Sequence, residues 1–184
     1  MSKIKKQKKR ITRISYLIFL IVCLCAAQTS DSKEYKVKAI FLFNFAQFME
    51  WPEDSFAHEK APFVLGILGE NLFGTFLKET IINEKIEGHP LVIEHYNEIS
   101  EVNGCHILFV HTTQVDQMNA MADHLKYQHV LTVGESRDFI TKGGVVRFFM
   151  KGGKIRLEIN VQAAEAAGLV ISSKLLGVSQ IVKS

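Results

Sequence analysis

The sequence predicts a three-layer α/β fold, in which a mostly parallel sheet is flanked by helices and carries an antiparallel C-terminal hairpin at its edge. Three observations predict it. Short apolar segments alternate with helical segments through the middle of the chain, as in a sheet joined by crossover helices. Residues 105–110 are apolar on both faces, as a central strand would be. Gly152 and Gly153 separate two strand-like segments, and such a pair favours a tight hairpin turn.

Four strands of the sheet are predicted from apolar segments bounded by polar residues or glycine. They occupy residues 63–68, 91–95, 105–110 and 129–133. The helices before and between them run over about residues 33–49, 71–83, 113–126 and 136–141. The first helix is apolar on nearly all sides, so it must be buried or covered by another chain. Asn71 is expected to cap the second helix.

After the fourth strand, the chain is predicted to form the hairpin, a short alanine-rich helix and a last helix. Ile155, Leu157 and Ile159 alternate with charged residues, so the second hairpin strand should have one solvent-exposed face. Asn160 caps the alanine-rich helix, which ends at Gly168. The last, amphipathic helix is predicted over about residues 173–182.

The N-terminus has the features of a secretory signal peptide. Seven Lys and Arg lie in the first thirteen residues, an apolar run of 14 residues covers residues 14–27, and polar residues follow. This run is shorter than the about 20 residues that a membrane-spanning helix needs. Cleavage after Ala27 is expected to release residues 28–184 into the periplasm as one domain, with no direct membrane insertion after signal-peptide removal.

Charge and cysteine content limit the partners and the chemistry. The chain has 22 basic and 19 acidic residues, and removal of the seven signal-peptide bases leaves 15 against 19, a net charge near −4. Such a domain lacks the basic excess that nucleic acid binding requires. Cys23 and Cys25 leave with the signal peptide. Cys105 is therefore unpaired, and no disulfide can form within the mature chain. A buried small hydrophobe is expected there, and the alternative is a disulfide to another chain or a redox-sensing thiol.

No motif indicates catalysis, a metal site or a cofactor. The chain contains neither HExxH nor CxxC, and its glycines do not have GxGxxG spacing. A small polar ligand is a weaker expectation, and its site would lie at the carboxyl ends of the parallel strands, where open α/β sheets bind ligands. The residues expected there are Glu70, Asn71, Thr112, Thr113, Glu135 and Ser136.

Three blocks of the sequence resemble the YfiR-like family of periplasmic proteins. They are residues 38–45 with 50–52, residues 131–133 with Phe139 and 143–144, and residues 156–160 with 163–164, 167–169 and 171–176. The blocks follow one another in order behind the predicted signal peptide. The resemblance spans about residues 33–182, nearly the whole mature chain.

The resemblance implies regulation of a membrane-bound diguanylate cyclase. Such proteins repress the cyclase by binding its periplasmic sensor domain, and their release raises cyclic di-GMP and promotes biofilm formation. The resemblance also implies a compact α/β domain that dimerises, so we expect a homodimer. Better-known members carry paired cysteines linked to redox sensing. With only Cys105 left after signal-peptide removal, the mature chain departs from that pattern, which argues against intramolecular redox control.

We therefore predict a periplasmic regulatory binding protein, not an enzyme, whose partner is an inner-membrane sensor protein, a diguanylate cyclase. The alternative is a small-ligand sensor or solute-binding domain that acts on another membrane receptor. The partner-binding surface is placed on the hairpin, because aromatic and arginine side chains dominate interface energies. Its predicted residues are Arg147, Phe149, Arg156 and Glu158. Replacing Arg156 or Glu158 with alanine is expected to leave the fold intact.

Overall fold

The computed structural model describes residues 33–111, 115–125 and 128–182. The described strands are β1 (Met49–Glu50), β2 (Phe63–Gly69), β3 (Lys85–Ile86), β4 (His89–Tyr96), β5 (Ile107–His111), β6 (Leu131–Gly134), β7 (Val146–Lys151), β8 (Lys154–Asn160), β9 (Val170–Ile171) and β10 (Gln180–Val182). The helices are α1 (residues 33–48), α2 (Phe76–Ile81), α3 (Val115–His124), α4 (Arg137–Thr141), α5 (Val161–Ala166) and α6 (Ser173–Gly177). The predicted signal peptide lies outside the described residues.

Eight of these strands form one mixed sheet in the order β10-β8-β7-β6-β5-β2-β4-β3. The strands from β4 across to β7 are parallel, while β8 is antiparallel to β7 and β3 is antiparallel to β4. The separate pair of β1 and β9 is antiparallel. The predicted α/β sheet with a parallel centre and an antiparallel C-terminal hairpin is confirmed, but the hairpin is not at the edge, because β10 pairs with the outer side of β8.

The two faces of the sheet carry two apolar clusters, which gives the predicted three layers. On one face α1, α2 and α5 pack against β2, β5, β6 and β7 around Phe45, Phe63, Phe109 and Phe148, each at most 2% exposed. On the other face Met121 of α3 and Phe139 of α4 belong to the cluster that buries Leu68 and Leu108. The first helix is less fully covered than predicted, because Val37 and Ile40 are 44% and 45% exposed in the single chain.

The hairpin turn has the predicted geometry. Lys151 pairs with Lys154, which leaves Gly152 and Gly153 as a two-residue loop. Both glycines have positive φ, at +60° and +69°. Two consecutive residues with positive φ are what a type I′ turn requires, and glycine adopts that conformation without a steric penalty.

Two predicted features of the chain differ in the structure. The last helix ends at Gly177, and β10 then pairs in parallel with β8, so the predicted helix over residues 173–182 is wrong in its second half. Ile181 and Val182 are β-branched and find an open neighbour in β8, which favours the strand. Asn71 does not cap α2. The Asn71 Oδ1 accepts a hydrogen bond from Phe73 N at 3.0 Å, and α2 begins later, at Phe76.

Candidate functional site

The β7–β8 hairpin gathers the four residues predicted to bind a partner. Antiparallel pairing places Arg147 opposite Glu158 and Phe149 opposite Arg156. Side chains alternate along a strand, and residues directly opposite one another point to the same side of the sheet. All four side chains therefore lie on one face, which we call the hairpin face. The other face of the hairpin packs against α1.

Glu158 is the centre of a charged network on the hairpin face. Arg147 Nε donates to Glu158 Oε2 at 2.7 Å, and Arg137 Nη1 donates from α4 to Oε1 at 3.1 Å. Glu158 is 7% exposed, whereas the Arg137 side chain is 64% exposed. The hydrogen bond from Arg147 lowers the pKa of Glu158 below its usual range, although burial acts in the opposite direction. The carboxylate is therefore held ionised.

This network changes one expectation for the second hairpin strand. Lys154 and Arg156 are solvent-exposed, as the alternation predicted, but Glu158 is buried, so the predicted exposed face is wrong at that position. The reason is tertiary: α4 packs against β7 and β8 and brings Arg137 over the carboxylate. Glu158 thus positions two arginines, and its replacement by alanine should affect the fold.

Phe149 and Arg156 form the accessible part of the hairpin face. Arg156 is exposed and Phe149 is half-buried. The guanidinium of Arg147 lies 5.0 Å from the centre of the Phe149 ring, within the range of a cation–π contact. An aromatic ring and an arginine held on paired strands have the side-chain types and the rigidity of interface anchors.

A second polar group, the carboxyl-edge cluster, lies where the parallel strands end beneath the start of α1. Lys38 is 4% exposed and forms ion pairs with Glu34 on the same helix and with Glu135, the residue after β6. The Tyr35 hydroxyl donates to Glu135 at 3.0 Å, and His111 Nδ1 lies 3.4 Å from the same carboxylate. Glu135 therefore ties α1 to the ends of β5 and β6.

A cleft of about 430 Å³ opens beside the carboxyl-edge cluster. Glu34, Lys38 and Glu135 line one side, and residues of β7 and β8 line the other. β7 forms a wall because it pairs with only the last residues of β6 and then continues past the end of that strand. The cleft lies at the carboxyl ends of the strands, where open α/β sheets bind ligands.

Of the described residues predicted to hold a small ligand, Glu135 lines this cleft and the others do not. Ser136 caps α4, accepting from Phe139 N at 3.0 Å. Asn71 makes the local turn before α2, and Glu70 is exposed next to it. Thr112 and Thr113 lie outside the described residues.

Tyr35, Lys38 and Arg137 belong to these clusters but were not predicted. The signal for Lys38 was its place in an apolar helix, four residues after Glu34, because a lysine on a buried stripe needs an acidic partner. Arg137 carried no such signal. Its partner Glu158 lies 21 residues away on a different element, and only the packing of α4 on the hairpin joins them.

Cys105 and His106 lie just before β5 at the amino edge of the sheet. Cys105 is buried, as predicted, and burial raises the pKa of its thiol to about 12. Burial lowers the pKa of His106 to about 4, and the ring stacks on Phe63 at 4.6 Å. Among residues 33–111, 115–125 and 128–182, no three His, Cys, Asp or Glu side chains are grouped as metal ligands.

The fold and the site together define a small α/β domain with a mixed sheet. Its two polar groups, the hairpin-face network and the carboxyl-edge cluster, contain ion pairs that join separate helices and strands. The chain belongs to the YfiR/HmsC-like family, whose model matches residues 35–180. Proteins of this family are periplasmic regulators of a diguanylate cyclase rather than enzymes, and they interact with a membrane sensor diguanylate cyclase. The resemblance inferred from the three sequence blocks is confirmed.

Solved structures with distant similarity include two bacterial proteins. An ABC domain from Streptococcus pneumonia, in complex with L-Trp, has 10% identity and a TM-score of 0.46, and the match covers 65% of this chain and 55% of that one. A conserved domain protein from Vibrio cholerae O1 biovar El Tor strain N16961 has 14% identity and a TM-score of 0.45, over 65% and 54%. The chain thus spans just over half the length of these proteins. No curated protein matches the sequence.

In the part of the chain that the structure describes, no helix has the length and apolar character to cross a membrane.

Proposed function

We propose that residues 28–184, after export and signal-peptide cleavage, repress a membrane-bound diguanylate cyclase by binding its periplasmic sensor domain through the hairpin face. The result is lower cyclic di-GMP signalling and less biofilm formation. Family membership supports the class of regulated enzyme. The observation that carries the surface is the pairing of Arg147 with Glu158 and of Phe149 with Arg156 on one face of two strands.

Repression of this kind requires tighter binding to the inactive receptor than to the active one. A receptor that is half active becomes about 1% active when the bound protein prefers the inactive state by about 100-fold, or about 2.7 kcal/mol. Contacts of one or two anchors that form only with the inactive receptor supply a difference of this size, because truncating a single hot-spot residue costs about 2 kcal/mol or more. Phe149 and Arg156 are the anchors that the hairpin face offers.

The hairpin face is ordered before any partner binds. Arg147 is 13% exposed at its side chain and is held by Glu158, so it loses little conformational freedom on binding. The strand pair fixes the backbone positions of Phe149 and Arg156. Such preorganisation lowers the entropy cost of association.

A homodimer remains our expectation. Its support in the structure is the exposure of Val37 and Ile40 on α1, the helix predicted to be buried or covered by another chain. Sedimentation of the mature protein at several concentrations tests it. A single monomeric species throughout would contradict it.

The repression assay compares variants of the hairpin face with a matched surface control. We expect the combined Phe149→Ala and Arg156→Ala variant to raise cellular cyclic di-GMP, since it removes both anchors and retains the ion pairs of Glu158 with Arg147 and Arg137. Lys174→Ala, on exposed α6, should repress like the unmodified protein. Thermal unfolding of the purified variants verifies the fold. Full repression by a folded hairpin variant would refute the assignment.

A second candidate function is a small-ligand sensor that acts on a membrane receptor, and the cleft beside Lys38 and Glu135 favours it. A thermal-shift screen with amino acids and vitamins tests this function. A ligand of the cleft should raise the melting temperature of the unmodified protein but not that of Lys38→Met. The absence of any stabilising compound would remove this candidate.

A further inference from the structure

We propose that the outer edge of β4, together with the groove between β4 and α2, binds an extended segment of a partner protein as an added strand. This strand-addition surface lies near the β3 end of the sheet, whereas β7 and β8 lie near the β10 end. It is therefore separate from the hairpin face, and it does not depend on the proposed repression.

The outer edge of β4 is unpaired along most of its length. β3 pairs with only the first two residues of β4, whereas β2 pairs with residues 91–96 on the inner side. Leu91 N donates outward to Glu84 O at 3.2 Å. Backbone groups alternate in direction along a strand, so the N–H and C=O groups of Ile93 and His95 also point outward. No strand formed by the described residues pairs with them.

This edge lacks most of the usual protection against pairing. Sheets protect their edges with short strands, bulges, proline or lysine. Pro90 lies at the beginning of β4 and the exposed Glu94 near its end, but Leu91, Val92 and Ile93 between them are apolar and half-buried. The open part of β4, residues 92–96, is about 17 Å long, enough for an added strand of about five residues.

The groove gives such a strand a place for its side chains. It has a volume of about 510 Å³. Leu77 and Ile81 of α2 and Ile82 just after it line the groove on one side, and Leu91 and Ile93 of β4 line it on the other. Every second side chain of an added strand would point into it. Backbone hydrogen bonds would supply affinity and the groove would supply specificity, as in known strand-addition complexes.

Charge favours a partner segment over a second copy of β4. Lys78 lines the groove, and no carboxylate is among the described residues that line it. The occupant is therefore a segment with alternating apolar residues and one acidic residue facing Lys78. A second β4 would instead present Leu91, Ile93 and His95 to the groove, since these are the β4 side chains on that face, and none of them is acidic.

The test uses a capped peptide of about eight residues in which threonine and valine alternate and one valine is replaced by glutamate. Backbone amide exchange is measured by NMR on the mature protein. We expect the Ile93 and His95 amides to exchange at least about tenfold more slowly with saturating peptide, because they gain hydrogen bonds. The same peptide, N-methylated on the residues that would face β4, should give no protection.

Two variants examine the edge and the groove separately. Ile93→Pro removes an outward N–H and should weaken peptide binding at least about tenfold, whereas Ile93→Val retains it. Ile82→Lys places a second cation beside Lys78 and should weaken binding, whereas Val178→Lys should not. Ile82 is 61% exposed and Val178 is 69% exposed, and Val178 lies outside the groove. Melting temperatures verify that each variant is folded.

Three results would overturn the proposal. They are no measurable peptide binding, binding without protection of Ile93 and His95, and protection in the free protein that rises with protein concentration. The last would show a second copy on the edge instead of a partner segment. If Ile93→Pro fails to fold, the N-methylated peptide and Ile82→Lys still decide the outcome. Repression of the cyclase is measured in a separate assay, so failure of the strand-addition proposal would not affect the proposed role of the hairpin face.

Discussion

The hairpin face and the amino edge of the sheet each bury a titratable side chain, and both side chains have a lowered pKa. On the hairpin face, Glu158 is ion-paired with Arg147 and Arg137, and these hydrogen bonds favour the charged carboxylate. At the amino edge, His106 is 3% exposed among aromatic rings, and burial favours the neutral imidazole. The same direction of shift thus arises from opposite preferences for charge.

The difference shows that a buried polar group stays ionised where charged partners outweigh burial, as at Glu158, and stays neutral where they are absent, as at His106. Glu158 stays ionised and orients arginines at a surface. His106 stays neutral and joins two strands, because its Nδ1 accepts from Val64 N at 3.1 Å. Its Nε2 has no hydrogen-bond partner among the described residues. The first arrangement suits recognition, whereas the second suits packing.

The largest expected effect is the loss of the carboxylate from the hairpin face. Glu158→Ala leaves Arg147 and Arg137 without their acidic partner and should lower the free energy of unfolding by about 4 kcal/mol. Denaturant unfolding at pH 7 measures it. Glu165→Ala removes an exposed acid from α5 and should change stability by less than about 0.5 kcal/mol. Equal effects of the two variants on the free energy of unfolding would contradict a stabilising role for the Glu158 carboxylate.

The next effect is the acid sensitivity that His106 confers. Its pKa is about 4 in the folded protein against 6.5 for an unperturbed histidine, so only the unfolded chain gains a proton as pH falls between these values. Stability should therefore decrease by about 3 kcal/mol from pH 7 to pH 4 on account of this group. His106→Asn retains an acceptor for Val64 N–H without the titration, and its unfolding free energy should vary less with pH.

The two pH windows differ, which separates the two regions. Glu158 has a folded pKa below that of the unfolded chain, so its stabilising contribution is present above about pH 4.3 and is lost as pH falls through the folded value. The stabilising contribution of the neutral His106 is lost at higher pH, as pH falls from about 6.5 to about 4. His89 adds to the lowering of the His106 pKa, and the nearby Ser55 backbone partly offsets it. An unchanged pH profile in His106→Asn would contradict this assignment.

The smallest effect is expected at the exposed end of the charged network. Arg137→Ala should cost about 0.5 kcal/mol, because its side chain is 64% exposed and solvent screens its ion pair. Arg147→Ala should cost clearly more, since Arg147 is 13% exposed and makes the shorter hydrogen bond to Glu158. Thermal unfolding of the two variants ranks them. The reverse order would show that α4, not the hairpin, holds the carboxylate.

Local patterns predicted the fold well where one element determines its own structure. Gly152 and Gly153 predicted the hairpin turn, which both form with positive φ. Asn160 predicted the cap of α5, where its side chain accepts a hydrogen bond from Ala163 N at 3.0 Å. Prediction was wrong where a neighbour decided. Residues 180–182 form a strand only because β8 offers an edge, and Glu158 is buried only because α4 covers it.

The candidate site was predictable only in part, because some of its contacts also depend on neighbouring elements. Alternation along one strand places Arg156 and Glu158 on a common face, and the hairpin register adds Arg147 and Phe149. Of the residues in the carboxyl-edge cluster, Glu135 was predicted from the sequence as a site residue, whereas Tyr35 and Lys38 were not. Its partner Lys38 comes from a helix 97 residues earlier in the chain, and no local pattern reports such a contact.

Photo-crosslinking from the hairpin tests the central claim most directly. A photoreactive residue at position 154, exposed on the hairpin face, is illuminated in intact cells, and the products are identified by mass spectrometry. The account predicts an adduct with the periplasmic domain of a membrane diguanylate cyclase, its loss when Arg156→Ala is added, and no adduct from position 174. An adduct that persists with Arg156→Ala, or that forms equally from position 174, would contradict it.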